Sequence, residues 1–210
     1  MLTHHRGGKN RIQVDANESQ TLTGGGFAVS RLNTPSLEDV PAGPRQILDK
    51  VGGTLGFVPA MFTTIASNPA VLEAVTTLQS TMSRVLDAKT RHVIALAVSQ
   101  ANECAYCLAM HTYVSSEYGG MSGEEIELAR AGSSTDPRRA AAARFARRVV
   151  DTRGQVSDGD LAAVRDAGYT DPDVLAIITV AVQALLTNFI NNVNQPEIDI
   201  PAVDSVGSSS

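Results

Sequence analysis

Residues 87–111 read DAKTRHVIALAVSQANECAYCLAMH, and this stretch decides the fold. Its middle, 93–101, is apolar almost all round, interrupted by Ser99 and Gln100. Such a run suits a buried strand or a central helix on composition alone. The alanines, Asp87 at a capping position and the short turn at Asn102–Glu103 all favour helix. A helix with apolar residues on every side belongs in the middle of a bundle. The segment 88–101 is therefore predicted to be a central helix, followed by a second helix that carries two cysteines.

Outward from this pair the chain is punctuated as helices are. Asn68-Pro69, Asp136-Pro137 and Asp171-Pro172 each set a capping side chain before a proline, which is tolerated at a first helical position because the missing N–H has no partner there. Ser122 with Glu125, and Ser157 with Asp160, have the spacing of a capping box. Gly119, Gly132, Gly154 and Gly168 stand where helices should stop. The predicted helices are roughly 44–53, 59–67, 69–85, 88–101, 103–118, 123–131, 137–152, 158–167 and 172–193. In the last, Val174, Ile177, Ile178, Ala181, Leu185 and Phe189 recur at steps of three and four, a helical stripe, and a helix so apolar all round is expected to need a second surface beyond one core. No two-residue hairpin and no alternating strand–helix pattern occurs. The prediction is an all-α domain of eight or nine helices over 36–195, with an irregular, Gly-rich arm at 1–35 and an extended tail at 196–210.

Composition narrows the function. At 210 residues with 43% hydrophobic content the chain suits one domain with a substantial core. Aromatics are 4% with no Trp, so no stacking platform for single-stranded nucleic acid is expected. A net charge of -5 and a pI of about 5.3 lack the basic footprint of a DNA or RNA partner. No apolar run is read as reaching the ~20 residues that cross a bilayer, and no apolar stretch follows the first residues as in a secretory signal. The expected location is the cytoplasm. Two cysteines are too few for a disulfide framework, so their spacing carries the information.

That spacing is Cys104-Ala-Tyr-Cys107-Leu-Ala-Met-His111. On a helix, at ~100° per residue, Cys104, Cys107 and His111 share one face, and His111 is one turn beyond Cys107. Cys104 stands near the helix start, where unpaired N–H groups and the positive dipole end favour a thiolate. A low thiol pKa beside a helix N-terminus and a basic neighbour makes a reactive cysteine. If the two helices run antiparallel about the Asn102–Glu103 turn, His92 and His111 lie within a few Å of the same height, at ~1.5 Å rise per residue. His4 and His5 belong to the arm. Other readings stay open on the residues alone. The cysteines can be small buried hydrophobes. Cys104, Cys107, His111 and His92 can together hold zinc or register oxidation without turnover. His92 can be a satisfied core residue, and Glu103 can either tune the thiol or complement the dipole.

Residues 90–111 resemble the core motif of the alkylhydroperoxidase D-like, carboxymuconolactone decarboxylase superfamily, and in particular its peroxidase-related branch. The motif is a Glu, eleven residues, a pair of cysteines with two residues between them, three residues and a His. Cys104, Cys107 and His111 match it, while His92 stands in the place of the Glu. The resemblance extends weakly over roughly 40–200, including 187–201 (TNFINNVNQPEIDIP). It implies a helical fold that assembles into trimers or hexamers and a thiol-dependent peroxidase needing no cofactor and no metal. In that scheme Cys107 is oxidised by a peroxide, Cys104 resolves it as a disulfide, an external dithiol or thiol protein reduces the pair, and His111 relays the proton. With imidazole near 6.5 where the motif has a carboxylate near 4.3, His92 implies a thiolate that depends more steeply on pH between roughly 6 and 8. The lactone-decarboxylase branch does not depend on a thiol pair, so retention of both cysteines favours redox chemistry.

Overall fold

Because the central apolar segment forms a helix, the other helices gather round it. The structure, a computed structural model, describes residues 30–201. Among these it forms nine helices and no strand: α1 Ala42–Leu55, α2 Ala60–Ile65, α3 Pro69–Met82, α4 Ala88–Ala101, α5 Ala105–Glu117, α6 Gly123–Arg130, α7 Pro137–Asp151, α8 Asp158–Asp166 and α9 Asp171–Asn194. Each answers to a predicted segment within a few residues. Most of the arm at 1–35, with His4 and His5, and the tail beyond 201 lie outside the described residues.

α4 is the axis of the bundle. All its residues from Val93 to Ser99 are buried, and it packs on α5, α6, α7 and α9. Ile94 and Val98 meet Phe145, Val149, Val164, Ile177 and Ala181 from α7, α8 and α9. On another face Val93 and Leu96 meet Met121, Ile126 and Ala143. Each fully buried aliphatic side chain contributes roughly 1.5–3 kcal/mol over leaving it in water, so a segment that looks indifferent between helix and strand is held as helix by three-sided burial. A separate cluster joins Leu48, Phe62, Ile65, Leu72 and Val75 to Cys104, Tyr106 and Cys107. The thiols thus lie in the layer between α5 and the N-terminal helices α1–α3.

Several local expectations are corrected. Asp171 is the first residue of α9, whose cap is Thr170: it accepts the Asp173 N–H while the Asp173 carboxylate returns to Thr170, and Asp171 instead pairs with Arg165 at 2.8 Å. Ser122 caps α6, but the Glu125 carboxylate turns away to Ser134 and Thr135, so the box is half made. α5 ends at Tyr118, and Gly120, at φ +57°, takes the left-handed turn expected of Gly119. Gly119 is instead required for close approach, since a Cβ there would sit 2.6 Å from the Ser115 carbonyl oxygen and 3.1 Å from His92 Cδ2. That contact sets the end of α5 beside the start of α4, so the two helices run antiparallel.

α9 overturns one reading. The expectation that no stretch is long and apolar enough to cross a membrane fails, because α9 is 24 residues long with a mean hydropathy of 1.9 over its most apolar window. Phe189 on the same helix is 55% exposed. Its inner face explains the apolarity: Val174, Ile177, Val180, Ala181 and Ala184 belong to the core, and Asn188, Asn191 and Asn194 are buried on the same helix.

Candidate active site

Two short turns place the thiols. Glu103, exposed and left-handed at φ 51°, closes the α4–α5 turn, and the Cys104 N–H donates to the Ser99 carbonyl at 3.0 Å. Cys104 is the N-cap of α5, with its sulfur accepting the Cys107 N–H at 3.4 Å. One helical turn brings the sulfurs together, and the Cys104 thiol donates to Cys107 Sγ at 2.6 Å. Both cysteines are free. Cys104 is fully buried, whereas Cys107 opens onto a cavity of about 260 Å³.

The electrostatics separate the pair. The Cys104 S–H and the Asn191 amide, 3.2 Å away, stabilise negative charge on Cys107 and outweigh its burial, holding that thiol down at about 7. The Cys104 thiol is pushed far up, because its S–H donates a hydrogen bond to the Cys107 sulfur and is buried. Of two cysteines three residues apart, only Cys107 is ready to be a thiolate near neutral pH.

His92 and His111 reach the same cavity as Cys107. Burial lowers His111 to about 4, with His92 as a second cause. His92 is lowered by burial and by the neighbouring Arg91 cation, against a weaker opposite pull from Asp87. Both rings are therefore neutral at neutral pH. His111 Nδ1 is buried with no hydrogen-bond partner, and no hydrogen bond joins His111 to Cys107 among the described residues. Of these three groups the Cys107 thiol is the one that changes charge near neutral pH. Around these polar groups the cavity wall is apolar, with Met61, Phe62, Met82, Met110 and Val114, while Arg91, Gln79 and Gln183 supply polar groups. No three His, Cys, Asp or Glu side chains converge as a metal-donor set among the described residues.

Sequence reasoning missed the amides of α9. Asn191 touches the reactive sulfur. Asn188 donates to Ser99 Oγ at 3.1 Å and accepts from Asn102 at 3.0 Å, and Asn194 ties the segment at Leu32 and Thr64 to the same helix end. Tyr106, between the cysteines, donates to Asp199 at 2.8 Å, and Asp199 also accepts the Ala60 N–H at the start of α2. A signal existed, since Asn188, Asn191 and Asn194 repeat at three-residue steps on an otherwise apolar helix, and buried amides must find partners.

With this geometry in hand, comparison with known proteins is informative. Residues 69–152, from α3 through α7 and so including the thiol pair, match the carboxymuconolactone decarboxylase family. Among proteins of curated function none matches the sequence. The fold is similar to an alkylhydroperoxidase AhpD core, an uncharacterized peroxidase-related protein from Ralstonia eutropha JMP134, at 26% identity and a TM-score of 0.73, covering 85% of this chain and 95% of that one. An uncharacterized peroxidase-related protein from Silicibacter sp. TM1040 has the same fold at 22% identity and a TM-score of 0.72, covering 84% and 94%. So does the debrominase Bmp8, solved in complex with 2,3,4-tribromopyrrole, at 16% identity and a TM-score of 0.69, covering 83% and 92%. The family match across the thiol helix and the shared fold point the same way: residues 69–152 carry the carboxymuconolactone decarboxylase family match, on an all-α fold of the alkylhydroperoxidase D-like type.

Proposed function

We propose that this chain is a thiol-dependent hydroperoxide reductase, with Cys107 as the attacking thiolate and Cys104 as the resolving thiol. One observation carries the reading: the sulfurs lie 2.6 Å apart, one sealed in the core and the other at the wall of a cavity. A low-pKa, accessible thiolate with a resolving partner beside it is the arrangement peroxide reduction needs. The thiolate attacks the terminal oxygen of R–O–O–H, so the S–O bond forms as the O–O bond breaks, leaving a sulfenic acid and an alkoxide. The alkoxide takes a proton to become the alcohol. Neutral His111, able to accept at one ring nitrogen and donate at the other, is the relay for that proton, and His92 lies beside it. Cys104 then attacks the sulfenic sulfur, forming the disulfide and releasing water, and an external dithiol returns both thiols.

The zinc reading is less well supported, because His111 and His92 do not converge with both sulfurs as a donor set. The test is hydroperoxide consumption by the full chain with a dithiol reductant, for wild type, Cys107→Ser and Cys104→Ser, with mass spectrometry of the products. Turnover abolished by either substitution, and a wild-type product lighter by two protons, are expected. A stable sulfinic acid with no disulfide, or stoichiometric zinc lost on replacing either cysteine, would reject the reading.

A further inference from the structure

On the α9 side of the cavity, one amide is half used. Asn191 is 3% exposed and lines the cavity with Cys107 and His111. Its Nδ2 donates to Cys107 Sγ at 3.2 Å, while its Oδ1 is buried with no hydrogen-bond partner. A buried carbonyl left unpaired costs roughly 1–3 kcal/mol, so the folded site retains an acceptor that a bound molecule can satisfy. The orientation of the amide follows from the sulfur, which as a thiolate accepts and cannot donate, so the NH₂ faces it and the oxygen is left without a partner at the edge of the site.

Resting on the peroxidase reading, we infer that Asn191 is a further catalytic residue, one that holds the Cys107 thiolate with its N–H and seats the substrate by accepting the hydroperoxide O–H at Oδ1. A hydroperoxide has one O–H donor, on the same oxygen the thiolate attacks. Bonding that hydrogen to Asn191 Oδ1 places the oxygen beside the sulfur and turns the O–R group toward His111 and the apolar wall. In the attack the S–O bond forms, the O–O bond breaks and the hydrogen stays on the oxygen now bound to sulfur, while R–O⁻ leaves toward the imidazole for its proton. The amide is neither oxidised nor reduced. Oxidants and thiol reagents without an O–H find no use for this acceptor, so the residue discriminates hydroperoxides from them.

The experiment compares two reagents on the reduced full chain. Cumene hydroperoxide carries the O–H, and methyl methanethiosulfonate reacts with the thiolate without one. Asn191→Leu removes both halves of the amide, and Asn191→Asp keeps an acceptor but replaces the donor with a charge beside the sulfur. Both variants are first checked for native helicity and cooperative unfolding. The pH midpoint of Cys107 modification is expected to rise in Asn191→Leu and further in Asn191→Asp. At a pH where the thiol of each protein is ionised, Asn191→Leu should react about tenfold more slowly than wild type with the hydroperoxide, the worth of one lost hydrogen bond, and less than about threefold more slowly with the thiosulfonate. Asn191→Asp should recover much of the hydroperoxide rate at that pH. If Asn191→Leu slows both reagents equally, or moves neither the midpoint nor the hydroperoxide rate, the inference is overturned while the peroxidase reading stands. If wild-type Cys107 reacts with the hydroperoxide no faster than a small free thiol, the peroxidase reading itself has failed, and the inference with it.

Discussion

His111 makes the folded protein sensitive to mild acid, by an amount the structure sets. In the unfolded chain its imidazole takes up a proton as the pH falls through about 6.5, whereas in the folded protein, partly buried and next to His92, it does so at about 4. Between these values the unfolded state binds more protons than the native state, so stability rises with pH across that window and is lost as the pH falls through it. The gap, at about 1.36 kcal/mol per pH unit, amounts to about 3 kcal/mol at pH 4. Set against the roughly 5–15 kcal/mol of an ordinary domain, that is a large share. The perturbation is His111→Gln, which keeps a polar side chain on the cavity and removes the titration. Urea unfolding followed by circular dichroism, at several pH values from about 7 down to about 4, gives the stability of both proteins. The carboxylates titrate in both and cancel in the difference, which therefore reads His111 together with its coupling to His92. Wild type is expected to lose about 3 kcal/mol more than the variant over this range, with most of the divergence below about pH 6. Parallel curves would refute the reasoning, because they would mean that His111 ionises as easily in the fold as out of it.

Three further outcomes are expected. Leu175, Val182, Leu186, Phe189 and Val193 form an exposed apolar stripe along α9, and we propose that the trimer or hexamer implied by the family resemblance is built through it. Light scattering should give a multiple of 22.1 kDa that Phe189→Glu reduces, and a wild-type monomer at micromolar concentration would contradict this. Asp199→Ala leaves the Tyr106 hydroxyl and the Ala60 N–H without their shared acceptor and should lower stability by about 1–3 kcal/mol, read as a fall in Tm; an unchanged Tm would show that the contact is dispensable. Gly119→Ala forces a Cβ against the Ser115 carbonyl and the His92 ring and should cost about 1–3 kcal/mol, with a shifted His92 resonance by NMR; a neutral effect would mean that the α4–α5 approach is looser than described.

Near-complete legibility of the helices in the sequence has a local cause. Caps such as Asn68, Asp136 and Ser157 act within three residues of themselves, and the glycines and prolines at helix ends restrict only their own backbone. The one misplaced cap followed from reading Asp171-Pro172 as the start, when Thr170 and Asp173 form the reciprocal pair one residue earlier. The thiol pair was legible for the same reason, since one helical turn fixes its spacing whatever the rest of the chain does.

What lay beyond the sequence came from distant segments brought together. Asn191 reaches Cys107 across 84 residues, and Asp199 reaches Tyr106 across 93, separations that no periodicity can register. Whether either histidine would be charged was equally undecided, because the pKa of an imidazole depends on how much water the fold leaves around it, and burial lowers both His92 and His111. The chain alone determined nine helices and a pair of sulfurs one turn apart. Only the packing of α9 and α2 against α5 decided which sulfur meets the cavity, which amide holds it and which face of α9 is left outside, because burial and long-range hydrogen bonds are properties of the assembled layers and not of any segment within them.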